Sequence, residues 1–283
     1  MLFDIGGTKT RIALSTGGKT FGEPKVIPTP KDFEKGILLF RDAALELSGG
    51  KKIEAVAGGI AGPIDREKTM LVNSPHISGW IRKPLKKELE KALGAQVYIE
   101  NDAAMVGLGE AAFGKGKGKR VVVYMTVSTG VGGSRIVNGR IDESAMGFEP
   151  GHQIIDPTGS LCPDCKSVPG YLERYISGSA IERRYKKKAY EIFDPKVWEE
   201  EARLLAYGLN NTIVHWSPDI VILGGSVTRR IPLNRVRFHL RRIMKIFPKV
   251  PPVERAVLGD FGGLYGAMYF LKNLRKTAQD SFK

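Results

Sequence analysis

The chain has 283 residues, 42% of them hydrophobic and 26% charged, which excludes disorder and suits two lobes with separate cores. Lys and Arg number 44 against 30 Asp and Glu, a net charge of +14. These cations are scattered, as at Lys86-Lys87, Arg183 to Lys188 and Arg241-Arg242, without an interleaved series of stacking aromatics, so the excess reads as solvated surface and nucleic acid is not an expected partner.

The first residues reach Asp4 and Gly6-Gly7 too early for a signal segment, and no apolar run approaches the ~20 residues of a membrane span. A cytoplasmic location without membrane attachment is expected. Strand-like runs occur at Met1 to Ile5 and Arg11 to Leu14, and then a helical repeat of Phe33, Ile37, Phe40, Ala44 and Leu47 ends at Gly49. Ile53 to Ala57 reads as a strand. Pro84 opens a helix carrying Leu85, Leu89 and Leu93, followed by the strand Gln96 to Glu100.

Arg120 to Val127 is a nearly continuous apolar strand. Val197 to Trp216 is an amphipathic helix, Asp219 to Leu223 a strand, Leu233 to Ile246 a helix, Val253 to Leu258 a strand and Leu264 to Leu274 a last helix. Apolar strands alternating with helices read as an α/β protein whose sheets are covered on both faces.

Two segments share one design. Asp4 to Lys9 (D-I-G-G-T-K) joins a strand to a second strand through a Gly/Thr turn, and Thr126 to Gly133 does the same before Arg135-Ile136-Val137. The repetition implies a duplicated fold in which each half offers backbone N–H groups and threonine hydroxyls to a polyphosphate. Gly224-Gly225, after another strand, is a third such glycine pair. Other nucleotide motifs fail: Gly18 to Thr20 lacks the Walker A glycine five residues earlier, where Ala13 stands. Gly130 to Gly133 is no dinucleotide fingerprint, since Arg135 takes the third glycine position. The Gly114 to Lys119 run reads as a solvated connection. Asp102 ends a strand and precedes a helix, where it could be a reactive carboxylate or only the helix N-cap.

These motifs together resemble the ROK family of sugar kinases, within the actin-like ATPase superfamily. The matches are D-I-G-G-T-K at Asp4, Asn101-Asp102, S-T-G-V-G-G at Ser128, E-P-G-H at Glu149, L-E-R-Y-I-S-G from Leu172 and L-G-G-S at Leu223. They span nearly the whole chain. The resemblance implies a two-lobed, ribonuclease H-like α/β fold with an interdomain active-site cleft. Residues 1–101 plus 263–283 would form a small lobe and 102–262 a large one, with the last helix returning to the small lobe.

The resemblance also implies an ATP- and Mg²⁺-dependent transfer to a hexose hydroxyl, with Asp102 as the base. Asp4, Gly6, Gly7, Thr8, Lys9, Thr129, Gly130, Gly132, Gly224 and Gly225 would hold the nucleotide and its metal. Asn73, Asn101, Glu149, His152 and Glu173 would hold the sugar. Glucose is the expected substrate, with fructose, N-acetylglucosamine and N-acetylmannosamine as alternatives, and a homodimer is implied. A ROK-type transcriptional regulator is disfavoured because the phosphate turn begins at Asp4, leaving no room for a preceding DNA-binding domain.

Three departures from the family pattern stand out. Structural zinc in the family uses a His and three cysteines, whereas here His152, Cys162 and Cys165 supply three ligands and Tyr171 takes the third cysteine's place. Zinc is either kept with Asp164, water or another group as fourth ligand, or lost with the loop held by packing around Tyr171. The second is favoured. Ala104 replaces an amide after Asn101-Asp102, and Ser128 replaces the first glycine of the second turn.

Overall fold

A computed structural model describes residues 1–74, 77–161 and 170–280, the last six as backbone only. Its internal contacts divide the chain into two compact units, Met1–Lys117 with Gly139–Gly147 and Leu258–Lys283, and Gly118–Asn138 with Phe148–Val257.

In the first unit, β1 (Leu2–Ile5), β2 (Lys9–Ala13), β3 (Lys25–Pro28), α1 (Phe33–Ser48), β4 (Ala55–Ile60), α2 (Leu85–Leu93), β5 (Gln96–Asn101) and α3 (Asp102–Phe113) follow in order. The sheet runs β3-β2-β1-β4-β5. β1 and β2 form an antiparallel hairpin, while β1, β4 and β5 are parallel. Strand alternation sends Phe3 and Ile5 into a core with Phe33, Phe40, Trp80 and Leu89, and Leu2 into a second core with Met105, Leu264 and Met268. Both faces are thus covered, as the apolar runs predict.

The second unit repeats this plan. β6 (Val121–Val127) and β7 (Val131–Val137) form the hairpin, and, past the two-residue β8 (Arg140–Ile141) that belongs to the first unit, β9 (Ile154–Asp156) pairs with β10 (Gly170–Tyr171). Then come α4 (Glu173–Ile176), α5 (Gly178–Tyr185), α6 (Pro195–Trp216), β11 (Ile220–Gly224), α7 (Leu233–Ile243) and β12 (Val253–Arg255). β11 lies parallel between β6 and β12. Two sheets, each with a leading hairpin and two further parallel strands, constitute the duplication that the repeated turns implied.

The last helix, α8 (Gly262–Asp280), packs on α3 in the first unit. Glycines permit the approach: a Cβ on Gly109 would overlap the Gly262 carbonyl, and one on Gly266 would overlap the Met105 carbonyl. β12 ends at Arg255, before the expected Leu258, because from Leu258 the chain belongs to the first unit. α4 and α5 were not legible as helices in the sequence. α5 starts at Ser177, whose hydroxyl accepts from Ala180 N–H and caps it.

Candidate functional site

In the first unit the carboxyl ends of parallel β1, β4 and β5 place Ile5-Gly6, Ile60-Ala61 and Asn101-Asp102 along one edge of the sheet. This is where α/β sheets present reactive groups. Asp102 is not the cap of α3. Asn101 is, its Oδ1 accepting from Ala104 N–H at 3.2 Å, so the acidic residue next in line is the first of the helix and accepts from Ala103 N–H at 2.8 Å. Asn101 also donates from Nδ2 to the Gly62 carbonyl at 3.0 Å. Gly62, at φ +127°, presses its α-carbon on Asn73, whose carbonyl oxygen would lie 2.5 Å from a Cβ there. Asn73, Asn101 and Asp102 are therefore tied into one loop cluster by a glycine that the sequence reading passed over.

The first turn closes with Gly6 N–H on the Lys9 carbonyl at 3.0 Å, and Thr8 and Lys9 are exposed. Asp4 stands one strand residue before it, 3.5 Å from the Arg11 guanidinium, which also reaches Asp260 at 3.3 Å. A Cβ on Gly263 would lie 3.2 Å from Asp4 Cγ, so the start of α8 closes over this carboxylate. Burial pushes Asp4 up to about 6; Arg11 opposes the shift and Asp260 adds to it. A carboxylate whose burial outweighs its one cationic neighbour has the chemistry to take a hydrated Mg²⁺, whose charge would restore its ionised form. Arg11, Asp260 and Gly263 carry no motif signal, and only chain folding brings them to Asp4.

In the second unit the turn Ser128-Thr129-Gly130 closes with Ser128 N–H on the Gly130 carbonyl at 2.8 Å. The start of α5 takes the turn's other carbonyls: Gly178 N–H bonds Ser128 O at 2.7 Å and Ser179 N–H bonds Thr129 O at 3.3 Å. With its carbonyls so occupied, the turn keeps the Thr129 and Gly130 amides for an anion. Ser128 needs no special backbone angle; its hydroxyl lies 3.3 Å from that of Ser226. Gly225, at φ +91°, fits beneath the Val127 backbone, where a Cβ would overlap the Val127 carbonyl. The Gly224-Gly225 pair therefore lies beside the second hairpin.

The E-P-G-H segment packs on the same hairpin. A Cβ on Gly133 would come 2.7 Å from Pro150 Cγ, and one on Gly151 would overlap the Val131 carbonyl. Glu149 thereby comes within electrostatic reach of His152 and Glu173, and Glu173 Oε2 accepts from Val131 N–H at 2.7 Å. Burial raises Glu149 above the usual carboxylate range; His152 pulls it down and Glu173 pushes it up. Three sugar-directed candidates and five nucleotide-directed ones thus lie within this unit.

The His152 ring lies flat on Tyr171, centroids 4.8 Å apart and planes 15° from parallel, and the Arg174 guanidinium covers Tyr171 at 4.9 Å. Cys162, Cys165 and Asp164 lie outside the described residues. Among the described residues no group of three His, Cys, Asp or Glu side chains is placed to hold a metal. At the third cysteine's position Tyr171 offers a stacked ring in place of a thiolate.

The model of the ROK family matches residues 2–274. A glucokinase of Thermotoga maritima is 31% identical, covering 95% of this chain and 96% of that protein. An N-acetyl-D-glucosamine kinase of Shigella flexneri is 30% identical, covering 94% of this chain and 97% of the relative. Among solved structures, a ROK family glucokinase from Streptomyces griseus in complex with glucose and AMPPNP superposes with a TM-score of 0.78 at 29% identity, covering 95% of this chain and 97% of that one. No described helix is long and apolar enough to cross a membrane.

Proposed function

Because this chain belongs to the ROK family, we propose that it phosphorylates glucose at a hydroxyl whose proton Asp102 removes. It is a sugar kinase, an ATP-dependent phosphotransferase with the α/β fold of actin-like ATPases. Glucose is preferred because the Thermotoga relative is a glucokinase and Glu149, His152 and Glu173 are all present. The observation that carries the chemistry is the division of labour at the start of α3. Asn101 supplies the cap, and the Asp102 carboxylate, which accepts from Ala103 N–H, stands at the sheet edge where this reading needs a base.

In this reading Asn73, Asn101, Glu149, His152 and Glu173 bind the sugar, carboxylates accepting from paired hydroxyls and His152 adding one further bond. Gly6, Gly7, Thr8, Lys9, Thr129, Gly130, Gly132, Gly224 and Gly225 bind the nucleotide through backbone and hydroxyl donors. Asp4 holds Mg²⁺ through water. Mg²⁺, when bound, neutralises charge on the transferring phosphoryl group. Positioning by Asp102 contributes about 10²–10⁴-fold and alignment of the two substrates supplies much of the remainder. We propose a cytoplasmic homodimer as the working form.

The test is ADP release with ATP and Mg²⁺ across glucose, fructose, mannose, N-acetylglucosamine and N-acetylmannosamine. Glucose should give the highest kcat/KM. N-acetylglucosamine in first place would transfer the reading to the Shigella relative's substrate, and no release with any sugar would point to a sensor.

A further inference from the structure

We propose that Glu173 couples the two substrates: its carboxylate weakens ATP binding at the Thr129-Gly130 turn until a sugar hydroxyl bonds to it. The inference rests on the reading of Glu173 as a sugar contact and deepens it.

Three observations carry it. First, Glu173 sits against the turn itself. Its Oε2 accepts from Val131 N–H at 2.7 Å, and a Cβ on Gly130 would come 2.7 Å from that oxygen. Alanine at Gly130 would push the carboxylate aside, so the glycine lets Glu173 lie against the turn. Second, the turn has little freedom to retreat, being closed by Ser128 N–H on Gly130 O and held by Gly178 and Ser179 at the start of α5. Third, the same carboxylate is near enough to Glu149 to be one of the charges acting on it. Glu173 is thus shared by the nucleotide turn and the sugar-directed cluster.

A triphosphate bound at the Thr129 and Gly130 amides brings like charge next to Glu173. At a few ångströms and partial burial this repulsion is felt, because water screens it incompletely. A sugar donating a hydroxyl to Oε1 disperses the carboxylate's charge and relieves the repulsion. Sugar therefore strengthens ATP binding, and ATP strengthens sugar binding by the same factor. The device also disfavours a loaded nucleotide in the absence of an acceptor alcohol, when water would be the remaining nucleophile.

Glu173→Gln removes the charge while its amide oxygen still accepts from Val131 N–H. Calorimetric titration of AMPPNP with Mg²⁺, with and without saturating glucose, reads the coupling. The wild type should show a sugar-dependent gain of about 5-fold or more. In E173Q the sugar-free affinity for AMPPNP should rise toward the sugar-bound wild-type value, and the gain should shrink toward unity. A residue that merely supported the turn would weaken AMPPNP when altered, which overturns the proposal. If E173Q leaves glucose affinity unchanged, the sugar-contact reading fails; if glucose weakens but sugar-free AMPPNP affinity does not rise, the coupling fails alone. Should the variant not fold, the wild type decides: the sugar-dependent gain must be larger for AMPPNP than for AMP, because the repulsion grows with phosphate charge. Equal gains overturn it.

Discussion

Gly59 on β4 lies directly against the backbone of Asp102, where an added methyl would stand 2.7 Å from the Asp102 Cα and 3.3 Å from its amide nitrogen. The position of the proposed base is set by the absence of a side chain on the neighbouring strand. Gly59→Ala should displace the start of α3 at a cost of about 1–3 kcal/mol. A shift of ~1 Å at the base is worth up to ~10²-fold in kcat. Steady-state kinetics beside a melting curve check this, and full turnover in a folded variant would mean that the placement of Asp102 is not critical.

Asp102→Asn should reduce kcat by about 10²–10⁴-fold and leave nucleotide affinity and folding unchanged. Folding survives because Asn101 provides the cap, and an amide oxygen at position 102 still accepts from Ala103 N–H. Single-turnover kinetics with a nucleotide titration separate the two quantities. Near-normal turnover would remove Asp102 from the mechanism.

Asp4 titrates near 6 in the folded chain because burial disfavours its charge, against about 3.9 when unfolded. The folded state therefore holds the proton more tightly. Stability from this group is complete below pH ~4 and falls as pH rises to ~6. Asp4→Asn should abolish that decline and raise the melting temperature of the nucleotide-free protein at pH 7, while turnover drops. A difference in melting temperature that stays constant from pH 4.5 to 7 would contradict the assignment.

Glu110 on α3 is fully buried, with one carboxylate oxygen accepting from Leu258 N–H at 2.8 Å and the other from Lys115 N–H at 3.3 Å. Glu110→Ala strands these amides, at about 1–3 kcal/mol for each that stays buried. Denaturant unfolding should show the loss, and amide exchange should quicken at Leu258 and Lys115. Glu110→Gln, which keeps an acceptor, should lose less.

Tyr171 should orient His152 through their stacked rings. Tyr171→Ala should raise KM for sugar several-fold with kcat less affected, and removal of metal by chelator should leave the melting temperature unchanged. Stoichiometric zinc in the purified protein, lost together with stability on chelation, would favour the alternative in which Cys162 and Cys165 keep the metal.

Much of this protein was legible in its residue order. Apolar runs such as Val121 to Val127 and repeats such as Phe33-Ile37-Phe40 are local patterns that sterics and burial translate directly into strands and helices. The paired Gly/Thr turns announced the duplicated hairpins because a tight turn depends on neighbours in sequence. Other features had no local signal. β3, α4 and α5 were missed; α5 begins with the plain sequence Ser177-Gly178, whose importance lies in meeting Ser128 some fifty residues earlier.

Whether Asp102 capped its helix or stood ready for chemistry was open in the sequence, since both roles suit an aspartate at a strand-helix junction. Packing decided the cap, which falls to Asn101, with Gly59 making room beside Asp102. The sharing of Glu173 by a turn and a cluster, and the closing of Arg11 and Gly263 on Asp4, likewise arose from folding. Sequence alone determined the elements and the chemical inventory, because propensity and motif act over a few residues. Tertiary structure decided which groups meet and which carboxylates lose water, because burial and approach are properties of segments far apart in the chain.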